Sequence, residues 1–530
     1  MKNESDENEN EKIILKDTSY QSLDDLFKHG WYTFFICLLL QCMIINQCGN
    51  MFYMAYSGFV PRITSCGSFN MTNLSQNEIC QQLKNITTSE NCIPEAEADF
   101  GSINLEFKYF CEEKYKIKTC ISIEMIGVVL GSIIGGQLSD YYGRRRIMLL
   151  GITFSTIFGV IVSFSQNILQ IMVTRAFVGL FNGTTMVIVV VFVMENIQKH
   201  DRVWLINIIT WAPNIAVYAG IAYLSGEWRT LARSLSVLTI PAILLCWYAP
   251  ESPRWLIQKG KLEEAKNIIT RINKINNRTV NEGTINNIIE SEFNVSKVQT
   301  KNGNKKYSFY HLIYTKHFIS YIGTLAFTAF VSSTCNYGIM FNMEKLSGSI
   351  YVNMIITAAL RYPLNLAVAY ADKKFKNLGR KVVMITFVLS ITISSLIIAF
   401  IYYIDKSIEF VNIIRLLQLL IMTFTSQLYT VGSICSSELF PTPIRNMAFA
   451  VNQLSSRLGT TIAPYFFYLA VFKENVPYLV MALITTISAS AFYFLIPETK
   501  GHPLNEQMPL KKDSIFRRKI EKDESSSMLS

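Results

Sequence analysis

Twelve apolar stretches, separated by polar and charged residues, divide the chain. The first six are Trp31–Tyr53, Lys118–Leu138, Ile147–Phe164, Ile168–Met194, Val203–Leu224 and Leu235–Ala249. The second six are 317–340, 349–371, 382–404, 410–434, 447–470 and 476–496. A helix rises about 1.5 Å per residue, so about 20 apolar residues cross the hydrocarbon of a bilayer. The pattern predicts an all-α membrane protein of twelve transmembrane helices.

The polar segments set the organisation. Residues 1–29 form an N-terminal tail in which Ser22-Leu23-Asp24-Asp25-Leu26-Phe27 reads as a short capped amphipathic turn. The tail lacks the apolar core and cleavage site of a signal peptide, so the first stretch is expected to act as the insertion signal. A first bundle covers 30–249 and includes a long polar loop at 54–117. A central loop covers 250–316, with helical periodicity around Leu262–Ile269 and an expected mobile linker at Val295–Lys306. The second bundle covers 317–497, and 498–530 form a basic tail.

Charge fixes the sidedness. The chain is 50% hydrophobic and only 17% charged, and its mean hydropathy of +0.26 excludes an ordinary soluble protein. The net charge of +10 could point to nucleic acid. However, the Lys and Arg sit in short clusters at the ends of apolar stretches, where positive charge marks the cytoplasmic side. Arg144–Arg146, Lys199 with Arg202, the central loop, Lys373–Lys381, Arg445 and the C-terminal tail alternate with charge-poor loops. Both termini are therefore expected in the cytoplasm, with the lipid bilayer and no nucleic acid as partner.

Eleven cysteines divide into two groups. Seven lie in or at the edge of apolar stretches and read as small buried hydrophobes. Cys66, Cys80, Cys92 and Cys111 share the 54–117 loop with three glycosylation sequons, at Asn70, Asn73 and Asn85. That combination predicts an extracellular, disulfide-stapled subdomain with three possible pairings. The sequons at Asn277 and Asn294 fall inside and should be unused.

The two halves echo each other. Asp140…Gly143-Arg144-Arg145 after the second stretch returns as Asp372…Gly379-Arg380-Lys381 after the eighth. Glu195…Arg202 returns as Glu438…Arg445, Arg175 as Arg415, and Pro250-Glu251-Ser252-Pro253 as Pro497-Glu498-Thr499. Four echoes in the same order mark duplication of a six-helix unit. Two such units imply alternating access around a site near the midplane. Asp140, Arg144, Glu195, Arg202, Asp372, Arg380, Glu438 and Arg445 are the expected inner gate, because acids and arginines at neighbouring helix ends can pair and part. The plainer reading is topology and capping alone.

These motifs resemble the major facilitator superfamily, and within it the organic cation/anion/carnitine transporter family. The carriers are Gly136-x-Leu138-Ser139-Asp140-x-x-Gly143-Arg144-Arg145, Trp228-Arg229-Thr230-Leu231 and Pro250-Glu251-Ser252-Pro253-Arg254-Trp255-Leu256. Gly348-Ser349-Ile350-Tyr351-Val352-Asn353, Glu438-Leu439-Phe440-Pro441-Thr442…Arg445-Asn446 and Pro497-Glu498-Thr499-Lys500-Gly501 follow. Sugar porters share the Pro250-Glu251-Ser252-Pro253-Arg254 and Pro497-Glu498-Thr499-Lys500-Gly501 span ends but lack the large cysteine-bearing loop after the first span. The resemblance implies the major facilitator fold, with two six-helix pseudo-repeat bundles, and a polyspecific plasma-membrane carrier of small organic ions.

Substrate charge is where the sequence departs from that pattern. Cation transporters of the family tend to carry aspartate at the position of Arg457, whereas anion and carnitine members tend to carry arginine. Arg361 stands where the family usually shows an acid. Mid-span charge costs roughly 2.5–3.5 kcal/mol on insertion scales and normally turns toward a cavity or a partner. Arg361 and Arg457, with Phe330, Tyr337, Gln427 and Tyr429, are the expected substrate cavity, lined for organic anions or zwitterions. The plainer reading has Arg361 paired with a helix carbonyl or an acid, only holding helices together. Thr185–Val193 is mostly aliphatic and lacks the aromatics associated with cation members. An organic cation transporter and a non-transporting, receptor-like surface protein are the competing readings. Nothing indicates an enzyme or a cofactor. There is no Gly-x-x-x-x-Gly-Lys-Ser/Thr loop, and His29, His200, His311, His317 and His502 are too scattered to form a metal set.

Overall fold

The computed structural model describes residues 23–27, 30–66, 69–70, 79–80, 82–83, 94–198, 209–278, 280–302, 309–343, 346–375 and 378–500. The first half contains α1 (Trp31–Ser57), α2 (Tyr115–Tyr142), α3 (Arg144–Val162), α4 (Ile168–Asn196), α5 (Trp211–Ser225) and α6 (Trp228–Tyr248). The second contains α7 (Lys316–Met340), α8 (Ile350–Lys374), α9 (Arg380–Tyr403), α10 (Val411–Glu438), α11 (Thr442–Ile462) and α12 (Val476–Leu495). Among the described residues, ten of these are long and apolar enough to cross a membrane. The other two are α5, with 15 described residues, and α11, which carries Arg445, Asn452 and Arg457.

The helices outrun their apolar cores. α1 continues past Tyr53 to Ser57, and α2 starts at Tyr115 rather than Lys118, so the polar loop is shorter than its 54–117 outline. α11 begins at Thr442, five residues before the apolar stretch, with Pro441 at its N-cap, and gives way to a 3₁₀ segment at Ala463–Val471. Proline suits a helix start because its missing N–H would have no partner there. The expected mobile linker at Val295–Lys306 is corrected: helix Glu282–Asn302 runs through its first part, and 303–306 lie outside the described residues. Ile285, Ile288 and Ile289 are buried against helices Pro253–Gln258 and Leu262–Ile275, which anchors that helix.

Within the first half, α2 and α4 form the most extensive contact. Gly127, Gly131 and Gly135 line one face of α2, and Gly179 and Gly183 line the facing side of α4. A Cβ on Gly131 would lie 1.7 Å from the Leu180 carbonyl oxygen, and one on Gly183 2.2 Å from that of Val128. Small residues spaced by four let membrane helices approach backbone to backbone. The second half does this once, where Gly459 of α11 meets the Phe330 carbonyl of α7.

The loop between α1 and α2 folds into a cap. Strands β1 (Arg62–Cys66), β2 (Phe69–Asn70) and β3 (Pro94–Glu97) form an antiparallel sheet in the order β2-β1-β3. Cys80 bonds Cys111, and Cys66 is also disulfide-bonded; Cys92 lies outside the described residues. Asn70 sits on β2, and Asn73 and Asn85 lie outside the described residues. The cap docks on the start of α6. Gly101 exchanges backbone bonds with Gly226 and Trp228, and Glu106 accepts from Trp228 Nε1 at 2.6 Å and Arg229 Nη2 at 2.6 Å.

Partial burial alone would raise the Glu106 carboxyl pKa, but the hydrogen bonds from Arg229 and Trp228 and the charge of Arg229 hold it below the usual carboxylate range. A depressed folded-state pKa stabilises at neutral pH, and that stabilisation disappears as pH falls through the depressed value. Glu106→Gln should therefore lower the melting temperature at pH 7. The gap to the parent should close as pH drops below the ordinary carboxylate range, read by thermal unfolding across a pH series.

Candidate functional site

The bonds joining the halves gather at the cap end and at the midplane. Tyr351, in the first turn of α8, stacks on Tyr56 of α1 at 5.7 Å and meets Tyr223 of α5 edge-on at 5.4 Å. Its hydroxyl donates to the Asp99 carbonyl of the cap at 3.2 Å. Lys118 of α2 donates to the Phe341 carbonyl, Ser122 to the Thr461 carbonyl at 2.8 Å, and Tyr465 to Thr119 at 2.8 Å. This closure between halves was not legible from the chain, because it joins residues more than a hundred positions apart.

At the opposite end, each half builds its own charge cluster. Arg144, at the start of α3, bonds Asp140 and Ser139 of α2 and reaches Glu195 of α4 at 3.2 Å. In the second half, Arg380 pairs with Asp372 at 2.5 Å and lies 3.6 Å from Glu438. Six of the eight expected gate residues thus come together, three in each half. Arg445 stands apart: its Nε reaches the Phe440 carbonyl at 3.4 Å, and its buried Nη2 has no hydrogen-bond partner among the described residues. Arg202 lies outside the described residues.

The other echo supplies a group that reading the charges alone overlooked. Glu251 accepts from the Arg145 N–H at 3.0 Å, and Glu498 from the Arg380 and Lys381 N–H groups at 2.8 and 3.2 Å. Each acid therefore caps the third helix of its half, where free N–H groups and the helix dipole favour a carboxylate. Gly143, at φ +109°, and Gly379 leave room for it; a Cβ there would fall 2.5 and 1.9 Å from the carboxylate oxygen. The longer Asp372–Gly379 spacing is spanned by Lys500, whose ammonium pairs with Asp372 at 3.1 Å and donates to the carbonyls of Asp372, Phe375 and Leu378. Asp24 of the N-terminal turn pairs with Arg254, which also donates to the Glu195 carbonyl at 3.1 Å and so ties the tail to the first cluster.

At the midplane the two arginines take different roles. Arg361 of α8 is buried and donates through Nε and Nη2 to the Met422 carbonyl of α10, and through Nη2 to Asn336 of α7. It does hold helices together. Arg457 of α11 makes its bond across the halves to the Met186 sulfur of α4, at 3.7 Å, and thioether sulfur is a weak acceptor. Tyr337 and Tyr429 lie within electrostatic reach of both arginines. Tyr429 donates to Ser333 at 3.0 Å, Gln427 is bonded to Asn365, and Phe330 packs on the core beside Gly459.

One acid mattered that the sequence reading passed over. Glu124 of α2 is 0% exposed and grips Arg175 of α4 through both oxygens, with Arg175 also 4.4 Å from the centre of the Tyr53 ring. It is the only fully buried acid among the described residues. A lone acid inside an apolar stretch was the available signal. Its counterpart in the second half is neutral: Arg415 bonds Asn353 at 2.7 Å.

A model of the family described as "Sugar (and other) transporter" matches residues 66–510. Mouse "Solute carrier family 22 member 21" is 30% identical over 428 residues, covering 79% of this chain and 73% of its own. The chain belongs to the solute carrier 22 family of major facilitator transporters. Human "Organic cation/carnitine transporter 2" is 28% identical, with 76% of this chain and 70% of that protein covered. Among solved structures, the inward-open xylose transporter of E. coli superposes with a TM-score of 0.62 at 16% identity, over 88% of this chain and 97% of the other. The major facilitator fold and the multi-pass membrane topology follow from these likenesses. A transporter of this family moves solutes and is not an enzyme.

Proposed function

We propose that the protein carries small organic anions and zwitterions across the plasma membrane by alternating access, with both termini cytoplasmic and the glycosylated cap outside. The observation that carries this reading is the charge balance at the midplane. Arg361 and Arg457 face Tyr337 and Tyr429, while the one fully buried acid among the described residues is taken by Arg175. A cation would meet two positive charges there with no free carboxylate among the described residues, whereas a carboxylate would find Arg457. The name of the human relative pairs organic cations with carnitine, a zwitterion that carries a carboxylate.

The charge clusters serve as the inner gate in this scheme. Each ties the ends of the second, third and fourth helices of its half, so each half rocks as a unit. The test is uptake of a labelled organic anion, carnitine and an organic cation by cells carrying the protein at their surface. Anion or carnitine uptake is expected, with the cation excluded. Glu195→Gln and Asp372→Asn should each cut that uptake by at least about tenfold at unchanged surface level, since each leaves the arginine of its cluster with one carboxylate in place of two. Cation uptake alone would transfer the assignment to the cation reading. Surface protein with no uptake of any of the three would favour a receptor-like role.

A further inference from the structure

Cys48 of α1 sits where the two halves meet. It is fully buried and has a free thiol. It lies within electrostatic reach of Arg361 and Tyr337 in the second half, and of Tyr56 and Tyr218 in its own. Tyr56 and Tyr218 meet edge to face at 5.6 Å, and both hydroxyls are buried without a hydrogen-bond partner among the described residues.

Those two hydroxyls are exceptions. Tyr32 donates to Asn196 at 2.6 Å, Tyr53 to the Trp228 carbonyl at 3.2 Å and Tyr429 to Ser333 at 3.0 Å. A phenol O–H left unpaired away from water is costly, and the cost is recovered when an acceptor arrives. Two such donors sharing Cys48 as neighbour, with Arg361 opposite, make a place suited to an acceptor oxygen. A phenol can also accept a bond, but the arginine beside Cys48 repels a cationic donor.

We propose that Cys48, Tyr56 and Tyr218 form a second, neutral wall of the substrate site. It selects organic anions that carry an acceptor oxygen apart from the carboxylate, such as hydroxy or acyloxy acids. This rests on the anion-transport reading: the second half holds the carboxylate through Arg457, and the first half reads the remaining oxygen.

The experiment uses the full chain in cells, with radiolabelled butyrate and 3-hydroxybutyrate, which differ by one hydroxyl. Wild type should favour the hydroxy acid about tenfold in uptake efficiency, the scale of one well-made hydrogen bond. Tyr56→Phe/Tyr218→Phe keeps both rings and removes both donors. It should bring the ratio of the two uptakes to about one. A second readout does not require transport: alkylation of Cys48 by N-ethylmaleimide, followed by mass spectrometry, should be slowed by 3-hydroxybutyrate more than by butyrate. A wild-type ratio of one, a preference that survives in the double variant, or unprotected Cys48 overturns the proposal. If neither acid enters the cells, the transport reading falls, and Cys48 protection decides on the wall by itself.

Discussion

Arg457→Asp is expected to abolish organic-anion uptake while leaving the protein at the cell surface. Arg457 bonds to the Met186 sulfur across the halves and pairs with no carboxylate among the described residues, so the substitution strands none of those acids. It instead places a negative charge where the substrate carboxylate is to bind. Two unit charges 4 Å apart at an effective dielectric of 20 interact by about 4 kcal/mol, and the substitution reverses the sign of that interaction. Even heavily discounted for water in the cavity, this is more than about a hundredfold in uptake. Arg457→Lys keeps the charge but loses the planar fork, and should retain part of the activity. Arg361→Gln is the contrast. Arg361 ties α8 to α10 and α7, so its loss should show first as lower expression. Uptake by Arg457→Asp equal to that of the parent would end the cavity assignment.

Gly131→Ala is expected to be the most damaging single-methyl change in the bundle. The added carbon would lie 1.7 Å from the Leu180 carbonyl oxygen, a backbone atom that cannot rotate away. α2 and α4 would have to separate, which also loosens Gly127 against Ala176 and Gly179 against Glu124. Ordinary overpacking costs about 1–3 kcal/mol; prying apart a backbone-to-backbone contact that shields the Glu124–Arg175 pair should exceed that range. Against a total stability of about 5–15 kcal/mol, most of the protein should fail to reach the surface. Gly136→Ala is the control, because its Cβ would meet only Val187 Cγ1, at 3.9 Å. Surface labelling and thermal unfolding of the two variants side by side check the pair; equal behaviour would remove the glycine ladder as the cause.

The twelve helices and the duplication were legible because both are written locally. A helix that crosses lipid must satisfy its own backbone and show apolar side chains outward, so its length and composition appear in a continuous stretch. Helix ends were read less well. Asn46, Gln47 and Asn50 interrupt the apolar run of α1, yet are buried against neighbouring helices, and Thr442–Asn446 of α11 looked like loop. The linker expected at Val295–Lys306 failed for a related reason: the isoleucines that anchor its helix lie upstream, and what they pack against cannot be seen from the linker itself.

The charges expected at the inner gate were picked out by repetition, and the structure pairs Asp140 with Arg144 and Asp372 with Arg380 despite their different spacing. Glu251 and Glu498 were seen only as marks at span ends. Their role as caps of α3 and α9 depends on a contact across about a hundred residues of chain.

By itself, the sequence determined the all-α membrane architecture, the two related halves, the cysteine-bearing cap and the presence of mid-membrane arginines. Each of these is carried by a contiguous run or by a motif that recurs at matching helix ends. Only the tertiary structure decided which arginine is spent on holding helices and which faces a partner across the halves. It alone paired Glu124 with Arg175, gathered Tyr56, Tyr223 and Tyr351 at the cap end, and left the hydroxyls of Tyr56 and Tyr218 unmatched. The reason is physical. The cost of a buried charge or donor is set by whichever group stands opposite it, and in this protein that group usually belongs to another helix.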